Sequence, residues 1–290
     1  MLYALVAGIL FGLYYALISL GLNLSFGVLR MVNLAHGDFV MIGGFAAVLL
    51  YTDWHLHPLL SLVLSAAAVF VVGIGLYYLL VPRIARTKDP EMISLVLFFG
   101  LSQVIQALAV IEFGNNEQSI FEPVFGTQPI SVLGQALPAV WVVSGLVSLV
   151  ALALIYLYLY RSRLGYSTRA VMASREEAQV SGINLHRVSA IAFGIGLGLG
   201  AAAGALAPFM LGGITPDIGT DLTTTAFAVI VLGTLGNPLG TIAGGLIYGV
   251  ALMLMQTYLP SWASLLPYVL LLLVLLVKPS GLFGRQVRSA

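Results

Sequence analysis

Apolar runs at 2–27, 58–82, 91–113, 137–160, 187–211, 238–258 and 262–278 leave this chain one class of fold. A helix needs roughly 20 apolar residues to cross a bilayer, and a helix satisfies its own backbone polar groups inside lipid. Charged residues make up 8% of the chain, against about 25% in ordinary soluble domains. That is too little polar surface to solvate a globule, so the lipid bilayer is the expected solvent. The expected fold is all-α: a polytopic integral membrane helix bundle, with residues 1–290 as a single domain. No Lys or Arg precedes the first run and no small-residue cleavage site follows it, so it reads as a retained transmembrane segment.

Two further apolar pieces, 38–51 and 221–235, are too short to span comfortably. Both follow polar, Gly-containing breaks, Asn33–Asp38 and Thr215–Asp221. Counting them gives about eight to nine segments. With nine, Arg83, Arg86 and Lys88, the stretch Arg161–Arg187, and the tail residues Lys278, Arg285 and Arg288 all fall on one side. Excess Lys and Arg marks the cytoplasmic face, so the N-terminus is expected outside and the C-terminus in the cytoplasm. Asp53, Glu112, Glu117, Glu122, Asp217 and Asp221 then fall in outward loops that hold no Lys or Arg. The two short pieces run in opposite directions, one in each half. That arrangement suggests two broken helices in an inverted repeat, the best sequence pointer to a transport site. Tilted or partly buried helices would give the same lengths.

The stretch 161–187 is a polar island that holds seven of the chain's 23 charged residues. Within it, Ser174, Arg175, Glu176 and Glu177 read as a capping box, in which Ser174 accepts from the N–H three residues on and Glu177 reaches back. Ala178 continues a helix of about two turns and Gly182 supplies its stop. A short capped helix between long hydrophobic segments suggests a docking loop for a soluble, energy-supplying partner. Glycines at helical spacing (Gly196/Gly200/Gly204, Gly8/Gly12, Gly245/Gly249) point to close helix packing, mostly within the chain.

Catalytic and metal chemistry find little support. Gly196–Ala201 matches a dinucleotide fingerprint literally, but it lies inside an apolar helix and follows no strand. There is no P-loop, no H-E-x-x-H and no nucleophile elbow. Cysteine is absent, which removes disulfides and thiolate metal sites. No catalytic residue, metal or cofactor is expected. Basic residues are confined to short loops, so no nucleic-acid partner is expected either.

The polar residues at membrane depth carry the remaining signal. Asn33, His36 and Asp38 either line a polar path or cap the broken helix, with Gly37 freeing the backbone to turn. Thr223, Thr224 and Thr225 either bond back to carbonyls one turn earlier or offer hydroxyls to a permeant. Asp38 and His36 would also serve an ion-coupled transporter as a proton or cation site.

The run Gly21–Gly44, GLNLSFGVLRMVNLAHGDFVMIGG, closely resembles the signature region of the branched-chain amino acid ABC transporter permeases. The Ser174–Asn184 loop, the run Val231–Gly245 and the tail Lys278–Gly284 resemble it too, so the likeness covers nearly the whole chain. The length resembles the smaller of the two paralogous permeases. The resemblance implies an importer for branched-chain or related small amino acids that works by alternating access. Implied partners are two cytoplasmic ABC ATPase subunits, a second paralogous permease and a periplasmic or extracytoplasmic solute-binding protein. Glu176-Glu-Ala178 with Gly182 resembles a loose form of the E-A-A…G loop that enters an ATPase groove. The family also includes transporters for urea and short amides, which leaves the solute open.

Overall fold

Seven helices long and apolar enough to cross a membrane frame the computed structural model, which describes residues 1–120 and 124–284. The order begins with α1 (Leu2–Leu29), α2 (His36–Thr52), α3 (Pro58–Ile84) and α4 (Pro90–Phe113). A small antiparallel hairpin follows, β1 (Ile130–Val132) and β2 (Gln135–Leu137). Then come α5 (Ala139–Arg161), α6 (Arg163–Ala173), α7 (Arg175–Val180), α8 (Leu185–Met210), α9 (Ile218–Gly233) and α10 (Pro238–Tyr258). A 3-10 turn at Pro260–Leu265 leads into α11 (Leu266–Val277). The hairpin is a small loop element within the helix bundle that the sequence leads one to expect. Its turn, Leu133 and Gly134, has φ of 50° and 76°, the paired positive values that join two antiparallel strands tightly. Glu122, Arg285 and Arg288 lie outside the described residues.

With the half-helices α2 and α9 counted, successive membrane helices alternate in direction. Arg83, Arg86, Lys88, α6, α7 and Lys278 therefore share one end of the bundle, here the basic end. Asp53 and Glu117 lie at the other, where an isolated strand bridge joins Gln118 to Ile214; Asp217 is the residue at which the returning loop enters α9. Asp221 departs from the loop expectation. α9 begins at Ile218, so Asp221 lies in its first turn, two residues beyond the Gly219 that lets α9 approach its neighbour.

α1 and α8 are the two pillars, each 83% buried over its most apolar stretch. α1 packs along α10, and α8 packs along α3, while α2 and α9 meet between the pillars. This exchange of third helices between two three-helix units, α1–α3 and α8–α10, is the arrangement an inverted repeat produces. Glycine sets the spacing in both units. A Cβ on Gly249 would strike Gly12 of α1, and one on Gly194 would lie 2.9 Å from the Phe70 carbonyl of α3. In lipid, helix association depends on such contact, because tails are as apolar as leucine.

The same close contact predicts a contrast. Gly249→Val drives a side chain into the α1 backbone and should cost at least about 1–3 kcal/mol, as overpacking does. Gly100→Val has nothing within 4 Å of its Cβ and should leave stability unchanged or raised, since Gly is the poorer helix former. Thermal unfolding in mild detergent reads both; equal melting temperatures would contradict this account of the α1–α10 contact.

Candidate functional site

Helix α1 ends at Leu29, and Arg30 turns the chain with φ 57° while its N–H closes on the Phe26 carbonyl at 2.8 Å. The chain then doubles back. His36 Nε2 donates to the Ile18 carbonyl at 2.9 Å. Ile18 is 11 residues before Leu29, or about 16 Å in from the basic end at 1.5 Å per residue. The hydrocarbon core is about 30 Å thick, so α2 starts near mid-depth. Loop 211–217 returns in the same way from the acidic end, and α9 starts beside α2.

The two half-helices touch through glycine. A Cβ on Gly37 would strike the Gly219 carbonyl, and one on Gly219 would lie 3.0 Å from the Asp38 Cα. Thr223 bonds them together. Its hydroxyl accepts the Gly37 N–H at 2.8 Å and lies 2.9 Å from the Gly219 carbonyl and 3.1 Å from the Leu34 carbonyl. Thr223 thus takes one of the first N–H groups of α2, which a helix cannot satisfy itself.

Asp38 does not cap α2. The helix starts two residues earlier than the sequence suggests, with Ala35 at the cap and no side-chain capping bond. Asn33 Oδ1 instead accepts from Ala35 N at 3.1 Å and shapes the approach. Asp38 points away from the helix start, and its Oδ1 accepts from Gln106 Nε2 of α4 at 2.9 Å. That amide nitrogen also lies 3.1 Å from Ser102 Oγ and 3.1 Å from Thr220 Oγ1. Asn33, His36 and Asp38 are almost wholly buried. Asn33 Nδ2, His36 Nδ1 and Asp38 Oδ2 have no hydrogen-bond partner among the described residues.

The three threonines diverge. Thr223 faces α2, Thr224 donates to the Thr220 carbonyl at 3.0 Å, and Thr225 faces a separate cavity beside Tyr248. Gln106 joins the site although no motif marks it; its signal in the sequence is the polar cluster Ser102, Gln103 and Gln106 within the otherwise apolar run 95–111.

The polar island holds two helices, not one. α6 and α7 share Ser174, whose hydroxyl accepts from Glu177 N at 3.3 Å. The reciprocal half of the capping box is not formed, because Ser174 N–H already closes α6 on the Ala170 carbonyl at 3.0 Å. Gly182 has φ 80°; its N–H reaches the Gln179 carbonyl and that of Ile183 reaches Ala178, both at 3.0 Å, which is a Schellman stop. Ala178 is buried beneath α7 and Glu176 and Glu177 are exposed.

Two arginines fasten this element to the pillar. Arg30 donates to the Met172 carbonyl of α6 at 2.7 Å, and Arg175 of α7 donates to the Val28 carbonyl of α1 at 2.6 Å. Met172 also fills the space over Gly27. The island is therefore continuous with the end of α1, seven residues before His36.

Removing the Thr223 hydroxyl tests the joint. Thr223→Val strands a buried N–H and should cost about 1–3 kcal/mol, whereas Thr223→Ser keeps the acceptor. The Val variant should melt well below wild type and the Ser variant close to it; equal melting temperatures would remove Thr223 as the tie.

A family model described as branched-chain amino acid transport system / permease component matches residues 4–275. The chain is 30% identical over 288 residues to the high-affinity branched-chain amino acid transport system permease protein LivH of Escherichia coli K12, covering 96% of this chain and 94% of that one. It is 30% identical to the corresponding protein BraD of Pseudomonas aeruginosa, over 97% of this chain and 95% of that one. The LivM permease of Salmonella typhimurium is 26% identical, over 92% of this chain and 67% of its own length. No solved structure matches. A multi-pass helical protein with paired half-helices and this likeness along its length belongs to the branched-chain amino acid ABC transport permease family.

Proposed function

We propose that this chain forms the translocation path of an ATP-driven importer for branched-chain or related small amino acids. In this reading it works with a second permease, two cytoplasmic ATPase subunits that hydrolyse the ATP, and an external solute-binding protein. The basic end is cytoplasmic, following the excess of Lys and Arg there, so the N-terminus is outside and the C-terminus inside. The whole chain acts as one translocation unit.

One observation carries the reading. Two half-helices of opposite direction meet at mid-depth through Gly37, Gly219 and Thr223, and the pillar leading into one of them is fastened to the capped helix α7. An ATPase seated on Ser174–Gly182 would pull on Val28 through Arg175 and on Arg30 through Met172. The end of α1 continues directly into residues 31–35 and the α2 start. A displacement at α7 thus reaches the central joint through backbone and two charge-assisted bonds, each worth about 1.5–3 kcal/mol. Thr223 and the Asp38–Gln106 pair hold the joint by few bonds, which suits an element that must open alternately to each side.

The test removes the docking helix and leaves the bundle. Glu177→Ala with Gly182→Val strips an exposed carboxylate and forces a branched side chain into φ 80°. Detergent-purified wild-type complex should contain P-loop ATPases and a second permease, and should take up leucine only with ATP. The double variant should lose the ATPases while keeping its melting temperature to within a few degrees. Uptake by the chain alone that ignores ATP and collapses with an uncoupler would replace this reading with ion coupling at Asp38 and His36.

A further inference from the structure

Beside α9, on the side away from α2, lies a polar cavity of about 460 Å³. Asp221 and Thr225, one turn apart on α9, form one wall. Tyr15 of α1 and Tyr248 of α10 form the floor, their rings edge to face at 5.0 Å. Gln256 and Tyr268 stand on the far side. Leu252, Leu265 and Pro267 add an apolar flank.

The depth is fixed by two helices. Tyr15 lies midway along α1 (Leu2–Leu29), and Tyr248 is the middle residue of α10 (Pro238–Tyr258). Gln256 and the 3-10 turn lie toward the acidic end. The cavity therefore runs from mid-membrane toward the acidic end. Asp221 is exposed in it and has no hydrogen-bond or ionic partner among the described residues. The chain's basic residues are gathered at the opposite end. An exposed carboxylate at this depth is costly against lipid, so this side of the bundle faces an aqueous path.

Resting on the importer reading above, we infer that this cavity is the amino-acid site of the translocation path, with Asp221 as the counter-ion of the solute's ammonium group. The chemistry of the walls divides as a zwitterion does. The carboxylate of Asp221 suits an ammonium, which supplies the missing positive charge. The Tyr15 and Tyr268 hydroxyls and the Gln256 amide offer donors to a carboxylate. The flank of Leu252, Leu265 and Pro267 takes a branched apolar side chain. The volume falls within the roughly 300–1,000 Å³ of small-molecule sites, enough for one such amino acid. A neutral amide can donate a hydrogen bond to this carboxylate but brings no positive charge to neutralise it, so the cavity favours an ammonium over the uncharged solutes of related transporters.

The absence of cysteine permits a clean test. In the assembled complex with its ATPase and binding-protein partners, Ser264→Cys places one thiol on the cavity wall. Millimolar leucine should slow its alkylation by a polar maleimide at least fivefold, and 4-methylpentanoate, which lacks the ammonium, should not. Leucine uptake per assembled complex should fall at least tenfold in Asp221→Asn and be largely kept in Asp221→Glu. Alkylation at one rate with and without leucine, or wild-type uptake in Asp221→Asn, overturns the assignment. A wild-type complex that imports leucine alongside either result overturns the cavity alone. A wild-type complex that imports no branched-chain amino acid overturns the importer reading and the cavity with it.

Discussion

A helix that starts in the middle of a bilayer leaves its first N–H groups where water cannot satisfy them, and most of this structure follows from how that debt is met. Non-helical backbone at membrane depth persists only when buried in protein or facing a watered cavity. Here α2 and α9 start side by side, and the Thr223 hydroxyl takes the Gly37 N–H. His36 ties the first start to the Ile18 carbonyl of α1. Asn33 turns its side chain onto the Ala35 N–H. These bonds require the two half-helices to touch, and only glycine at 37 and 219 allows it.

That contact sets the rest. Two half-helices in contact need pillars close enough to enclose them, and α1 and α8 approach through Gly21 and Gly196. The outer faces of the pillars are then free to pack on α10 and α3. α4 is left at the margin with few buried residues, yet it supplies Gln106 to Asp38. At the basic end the returning chain must leave α1 sharply, so Arg30 takes a left-handed conformation. Its guanidinium reaches α6 from that position. The tail closes over the equivalent end of α9, where Thr234 Oγ1 donates to the Ser280 carbonyl at 3.1 Å and accepts from Phe283 N at 3.2 Å.

The spans and their alternation were legible in one dimension, because hydropathy and Lys/Arg segregation are local properties of the chain. The helix at Ser174–Gly182 was legible for the same reason: a cap, two carboxylates and a glycine stop act within one turn. The joint was legible only in part. Asn33, His36, Gly37, Asp38 and Thr223 stood out as polar groups in apolar surroundings, but Asp38 looked like a cap and is instead the partner of Gln106. That pairing joins α2 to α4, 68 residues apart, and no periodicity records it. Asp221 read as a loop residue because Pro216 and Gly219 resemble a break. The break ends at Asp217, and Gly219 serves the close approach to Asp38. The arginine ties to Met172 and Val28 end on backbone carbonyls, which carry no sequence signal at all.

On the proposed mechanism the joint between α2, α4 and α9 opens and closes during transport, and the cysteine-free chain allows it to be locked. Gln106 Nε2 and Thr220 Oγ1 lie 3.1 Å apart across that joint. Gln106→Cys with Thr220→Cys, bridged by a short reducible bis-thiol reagent in the assembled complex, should stop leucine uptake, and reduction should restore the rate of the unbridged variant. Uptake that continues at the unbridged rate with the bridge complete would contradict the account.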